Sequence, residues 1–214
     1  MFFKDQRDQS LADGAKNAVI RKPAPLRFLF HVATGLTLAY LVYFTGKEEG
    51  GLLIGSLFLV TILIEALRLM VPAINGVFVG LVGPMLKDVE VGRPTGVGYF
   101  LGGALTCLLL FDVEVTLASL VILSVGDPAA AAVGQRWGRI RIGKKSLEGL
   151  AAFFVGAMVS GMILRGFWPG LSMPVFAIGA LTGAVVECLP LKVDDNLILP
   201  LAAALAMEVS IRYL

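Results

Sequence analysis

The chain has 214 residues, 57% hydrophobic and 16% charged, with a net charge of +2 and a mean hydropathy of +0.84. Soluble domains carry about 25% charged residues, so a water-soluble globule is excluded, and the length is better counted in membrane spans of about 20 apolar residues each. Two cysteines, Cys107 and Cys188, each inside an apolar run, argue against a disulfide framework or a zinc site.

In chain order, residues 1–26 form a polar arm with no small-residue cleavage site after the first apolar run, which reads as a retained helix. Seven segments have the length and apolarity of spans: Arg27–Gly46, Gly51–Met70, Gly96–Phe111, Val115–Gly134, Glu148–Gly166, Met173–Leu191 and Leu197–Leu214. The only histidine, His31, lies near the start of the first. Glu65 and Arg68 in the second are one helical turn apart and suited to pair, as are Glu208 and Arg212 in the last. The spacings Gly51/Gly55 and Gly179/Gly183 suit close helix packing. An eighth apolar stretch, Val71–Leu86, holds two prolines, three glycines and an asparagine.

Lys and Arg collect on cytoplasmic flanks. With the N-terminus inside and Val71–Leu86 not crossing, fifteen of the eighteen cations fall on the inner side, including Arg68, Lys87, Arg93, the five in Arg136–Lys145 and Lys192. If Val71–Leu86 crossed, the five-cation loop would land outside. That stretch therefore reads as an interfacial or re-entrant helix, and the polar loops gather on the cytoplasmic face.

Asp127 lies about 10 Å from the inner end of its segment, at 1.5 Å per residue. A charge at that depth costs about 2.5–3.5 kcal/mol or more and usually faces a cavity or a partner. Pro128 follows it, which predicts a kinked or broken helix there. A packing interface with a structural acid–base pair is the plainer reading of the same residues.

The following "GRIRIGKKSLEG" nearly spells a P-loop, but Lys145 stands where Ser or Thr is needed and no strand feeds Gly138. The P-loop reading fails. Arg136, Arg139, Arg141, Lys144 and Lys145 still form a dense cationic loop, and Ser146 is placed to cap a helix starting near Glu148. A polyphosphate suits cations beside a helix N-terminus, whereas a charge run alone more often meets anionic lipid. Glu148 weakens lipid binding and suits Mg²⁺, which takes one or two carboxylates plus substrate phosphates. Asp127 and Glu148 flank the loop and are expected to converge. In "LKVDDNLILP", Asp194, Asp195 and Asn196 precede the last helix; Asp195 or Asn196 reads as its N-cap, and Glu187 nearby has no local partner.

Taken together, these stretches resemble the CTP-dependent lipid-alcohol kinases: dolichol, polyprenol and phytol kinases and the yeast-type CTP-dependent diacylglycerol kinase. "RKPAPLRFLFHVATG" is similar to the family's opening (Arg21, Lys22, His31), "IEALRL" to its Glu-x-x-Arg (Glu65, Arg68), and "KDVEVGRPTGVGYFLGG" to its Glu…Thr-Gly segment (Glu90). "GDPAAAAVGQRWGRIRIGKKSLEG" resembles its central block and "GAVVECLPLKVDDNLILPLAAAL" its closing block. The central block is also distantly similar to phosphatidate cytidylyltransferases, although the Asp-Arg pair of that family is absent from the last stretch.

The resemblance implies phosphoryl transfer from CTP, with a divalent cation such as Mg²⁺, to a membrane lipid alcohol. The resulting expectation is an all-α, polytopic integral membrane bundle of about seven transmembrane helices plus one interfacial or re-entrant helix. Residues 1–26 form a cytoplasmic arm and 27–214 a single catalytic domain. Asp127, Glu148 and Asp195 are expected to be catalytic and to hold the metal, with one aspartate accepting the alcohol proton. Gly126, Gly134, Arg139, Lys144, Lys145, Ser146, Gly149 and Asn196 are expected to bind nucleotide and phosphate. Arg21, Lys22, His31, Glu65, Arg68, Glu90, Glu187 and Asp194 are supporting. The partners are CTP, the lipid alcohol and the bilayer, with no nucleic acid and a homo-oligomer left open. A transporter built on Asp127 is the rival of another class.

Overall fold

The structure, a computed structural model, describes residues 24–143, 145–167, 170, 172–190 and 193–213. Its elements are α1 (Ala24–Met70), α2 (Pro72–Val82), 3-10 turns at Gly83–Met85 and Asp88–Val91, α3 (Gly96–Leu110) and α4 (Val113–Trp137). A two-stranded hairpin, β1 (Arg141–Ile142) and β2 (Lys145–Ser146), then precedes α5 (Leu147–Leu164), α6 (Met173–Cys188) and α7 (Asp195–Ile211). Arg21, Lys22 and Lys144 lie outside the described residues.

α1 is two helical arms. At Gly46 the backbone turns through φ 77° and ψ −170°, a region that only glycine enters cheaply. Around this turn the Lys47 ammonium donates to the carbonyl of Phe111 at 2.9 Å, and the Tyr43 hydroxyl to that of Phe167 at 3.4 Å. The turns at Gly46, Phe111 and Phe167 therefore share one end of the bundle. The cationic hairpin, the end of α6 and the start of α7 meet at the other.

α4 is the axis. Its ten residues Val115–Ser124 are all buried, as expected of a helix apolar all round, and α1, α5, α6 and α7 all pack on it. In lipid, apolar side chains gain little by leaving their surroundings, so small residues and close contact hold helices together. A Cβ at Gly126 would stand 2.6 Å from the Phe153 ring, and one at Gly179 2.6 Å from Met207. Gly183 is close to Ile122 and Phe153, so the 179/183 spacing is a packing seam. The 51/55 spacing is not: Gly55 faces open space.

Large apolar side chains such as Leu52, Leu59, Leu63 and Leu81 are exposed on the outer faces, while Arg68 and Glu65 are buried. An apolar exterior around buried polar groups suits a lipid surrounding. Among the described residues three helices are long and apolar enough to cross a membrane: Arg27–Met70, which carries both α1 arms, Val113–Trp137 and Leu147–Leu164. α3, α6 and α7 have 15, 16 and 17 residues. At 1.5 Å per residue they reach about 23–26 Å, short of a ~30 Å hydrocarbon core. The expected count of seven spans thus has three helices of full length behind it. α2, with 11 residues and none buried, is too short to cross.

Of the kink or break expected at Asp127–Pro128, the break does not occur. α4 runs helically through Pro128 to Trp137. Proline costs a helix interior about 3 kcal/mol, but Pro128 is itself buried in the packed axis, and such packing outweighs propensity.

Candidate active site

The hairpin between α4 and α5 positions the first functional side chain. Arg141 pairs with Ser146 and Ile142 with Lys145 in an antiparallel register, and Gly143 makes the turn at φ 60°, the conformation that short hairpin turns require. Adjacent strand residues face opposite ways. Ser146 turns inward and caps α5, accepting from the Gly149 N–H at 3.1 Å. Lys145 reaches across to α6 and α7. Its ammonium pairs with Glu187 Oε1 and lies 3.7 Å from Asp195 Oδ2. Burial alone would lower the pKa of this lysine. The hydrogen bond and charge of Glu187, with the charges of Asp127 and Asp195, outweigh burial and raise it.

Asp127 is within electrostatic reach of Lys145, Glu187, Asp195 and His31. Lys87 adds a second ammonium facing His31 and Asp195. One end of the bundle thus gathers residues from α1, α4, the hairpin, α6 and α7 into a single charged cluster. Three carboxylates, on Asp127, Glu187 and Asp195, surround Lys145. Glu187 Oε2 is buried without a hydrogen-bond partner. This is a site short of positive charge and donors, suited to a ligand that brings a cation.

Other predicted residues make local contacts of their own. Glu148 holds the hairpin base: its carboxylate accepts from the Ile140 N–H at 3.2 and 3.3 Å. Arg136, Arg139 and Arg141 are exposed, so Lys145 is the described cation of this loop that reaches the cluster. Gly134 and Gly149 bring α4 and α5 together: Cβ atoms there would stand 3.1 Å from Ser146 Oγ and 3.0 Å from the Ala130 carbonyl. Gly126 has the same packing role against Phe153. The N-cap of α7 is Asp194, one residue before either expected candidate; its Oδ1 accepts from the Asn196 N–H and Nδ2 at 3.0 and 2.7 Å. No three His, Cys, Asp or Glu among the described residues stand close enough to hold a metal ion unaided.

Glu65, Arg68 and Glu90 form a separate clasp. The Arg68 guanidinium donates to Glu65 Oε2 at 2.6 and 3.0 Å and to Asn75 Oδ1 at 3.0 Å. It also donates to the carbonyls of Glu90, Val91 and Arg93 and lies over the Phe78 ring. The other Glu65 oxygen accepts from the Thr95 hydroxyl at 2.8 Å. Glu90 ties the loop to α3, accepting from the N–H groups of Lys87 and Gly96 at 2.6 and 2.8 Å. A Cβ at Gly96 would stand 2.8 Å from Asn196 Nδ2, so the clasp sets α3 against the start of α7. It also fixes the backbone that carries Lys87.

Sequence reasoning left out Lys87, and it found no partner for Glu187. Lys145 and Glu187 are 42 residues apart, and no local pattern announces such a pair.

The fold and this cluster define a helical, membrane-type protein with charged side chains gathered at one end of the bundle. Its relatives narrow the class. Over 212 residues the chain is 26% identical to CTP-dependent diacylglycerol kinase 1 of Saccharomyces cerevisiae, covering 87% of this chain and 73% of that protein. It is 28% identical to the enzyme of the same name from Eremothecium gossypii, covering 87% and 67%. A probable chloroplastic phytol kinase of Triticum aestivum is 35% identical over 123 residues, half of this chain and 41% of the plant protein. No family model matches the chain, and no solved structure matches it. The chain is homologous to CTP-dependent diacylglycerol kinases and phytol kinases, the kinases its motifs resemble. The likeness to cytidylyltransferases finds no support in these relatives.

Proposed function

We propose that this protein is a multi-pass membrane kinase that transfers the γ-phosphoryl group of CTP to the hydroxyl of a lipid, releasing CDP and a lipid phosphate. The observation that carries this reading is the convergence of Asp127, Lys145, Glu187 and Asp195 at one end of the bundle. The names of the relatives supply CTP and two acceptors, diacylglycerol and phytol. In this reading seven arms cross the bilayer and the site faces the cytoplasm, as the distribution of Lys and Arg supports.

Phosphoryl transfer depends on positioning and charge stabilisation. Lys145 would meet the phosphates, exchanging one carboxylate partner for a phosphate oxygen. Asp127 and Asp195 are the carboxylates that would hold Mg²⁺ together with those phosphates, and the unpartnered oxygen of Glu187 fits the same cation-poor pocket. Mg²⁺ would neutralise charge on the phosphates. Glu148 serves the site indirectly, by holding the hairpin in register. An aspartate remains the proposed acceptor of the alcohol proton, and the lipid enters sideways from the bilayer.

Purified protein with labelled CTP and a panel of diacylglycerol, phytol and prenols tests this directly. CDP and a phosphorylated lipid are expected, and the best acceptor identifies the substrate. Pyrophosphate with a CDP-lipid would establish cytidylyl transfer instead. No turnover with any lipid would return the protein to the transporter class.

A further inference from the structure

Three buried polar side-chain atoms among the described residues have no hydrogen-bond partner: Thr116 Oγ1, Glu187 Oε2 and His31 Nε2. A buried nitrogen without a partner is destabilising, and native structures leave few of them. Glu187 belongs to the cluster that meets the nucleotide, and Thr116 lies near the opposite end of α4. His31 is different. It stands on the first arm of α1, edge-on to Phe100 with ring centroids 6.1 Å apart. The charges facing it come from four places: Asp127 on α4, Lys87 on the loop before α3, Arg27 on its own helix and Asp194 at the cap of α7.

Phe28, Leu29 and Phe30, the three residues before it, are exposed. One turn before His31 on the same helix, Arg27 lines a surface cavity of about 320 Å³ together with Leu86, Lys87, Asp88 and Val89. An apolar chain lying along this arm would therefore end beside a buried nitrogen that lacks a partner, at the edge of the charged cluster. With the ring proton on Nδ1, Nε2 is an acceptor, and the group that completes it is small, neutral and carries one donor hydrogen. An anion offers only acceptors, and a second cation would meet Arg27 and Lys87.

From this geometry we infer that His31 holds the acceptor lipid, its Nε2 accepting the hydrogen bond of the hydroxyl that is to be phosphorylated. The inference rests on the kinase reading above and assigns the lipid's reactive end to the α1 side of the site, opposite the hairpin. His31 is then a substrate-binding residue, and the charge of Asp127 acts on both His31 and Lys145.

The chain has one histidine, so tag-free protein labelled with ¹⁵N-histidine gives a single imidazole. Without CTP, phytol or a short-chain diacylglycerol should shift its Nε2 resonance, whereas the O-methyl ether of the same lipid should not. In turnover, His31→Leu should lower kcat/KM for the lipid about tenfold, the size of one hydrogen bond, and leave the Kd for CTP within twofold. His31→Gln, which restores an acceptor near the Nε2 position, should recover part of the loss. An Nε2 resonance unmoved by a lipid that the enzyme phosphorylates overturns the inference. So does an equal loss of CTP affinity in both variants. If wild-type protein phosphorylates no lipid, the kinase reading falls, and the comparison of hydroxyl with ether still decides the contact at His31.

Discussion

Two charged groups at the same end of the bundle, one buried and one half-buried, are built on opposite terms. In the clasp, the Arg68 guanidinium donates to Glu65, Asn75 and three backbone carbonyls, and both Glu65 oxygens are used. In the cluster, Lys145 faces three carboxylates and Glu187 keeps a buried oxygen without a partner. A polar network with every group satisfied rigidifies the fold. One left short of donors and positive charge stores a demand that a ligand can meet. Both sets of residues lie in stretches that resemble the lipid-kinase motifs, so motif membership alone cannot separate scaffold from chemistry. Hydrogen-bond satisfaction does separate them.

The largest effect that would sharpen this contrast is on the clasp. Arg68→Ala leaves Glu65 charged and buried without its partner and should cost about 3–5 kcal/mol, read as a fall in melting temperature in detergent. The protein that remains folded should still bind CTP. A variant that melts normally but loses CTP would show that Arg68 belongs to the site.

Lys145→Ala should do the reverse. Losing a charge-assisted contact with phosphate costs about 1.5–3 kcal/mol, so the Kd for CTP should rise roughly ten- to a hundredfold, measured by equilibrium binding. Melting should fall less than in Arg68→Ala, because Lys145 and Asp195 are each more than a third exposed and water reaches part of the charge left behind. The pH dependence follows from the raised pKa of Lys145. A lysine whose folded pKa is raised contributes fully below its ordinary value and loses that contribution as pH rises through the raised one. CTP affinity should therefore stay flat through neutral pH with respect to this group. A decline centred near neutrality would assign the titration elsewhere.

A smaller effect separates packing from charge behind the site. Gly126→Ala places a methyl 2.6 Å from the Phe153 ring and should cost about 1–3 kcal/mol by overpacking. Melting temperature should fall while KM for CTP in the folded fraction stays near parental. A selective loss of CTP binding would mean that Gly126 contacts the nucleotide, as the motif resemblance implies.

What the sequence revealed and what it hid follow one physical division. Local patterns were legible: the Ser146 cap, the Glu65–Arg68 turn pair and the 179/183 seam each depend on residues within a few positions. The gathering of polar loops at one end followed from charge sorting, which acts on whole segments. Pro128 misled because local propensity predicts a break that burial of α4 overrides. The cap of α7 was misplaced by one residue, since Asp194, Asp195 and Asn196 are all good caps and only the backbone decides among them. Glu148 read as a metal ligand because an acid directly after five cations suits Mg²⁺, and the sequence did not show that its carboxylate also accepts from the Ile140 N–H across the hairpin. The pairing of Lys145 with Glu187 and the unpartnered His31 are products of tertiary packing, and neither leaves a local signature.

Asp127→Asn tests the central claim most directly, measured for melting and for turnover on the same preparation. The substitution keeps size and hydrogen bonding and removes a charge from a carboxylate-rich, partly buried place. The account predicts melting at or slightly above the parental temperature, since a costly intramembrane charge is gone. It also predicts a fall in lipid phosphorylation of about 10²–10³-fold, from the loss of charge acting on the transition state. A variant that melts lower yet turns over normally per folded molecule would contradict it, making Asp127 a structural partner and placing the chemistry elsewhere.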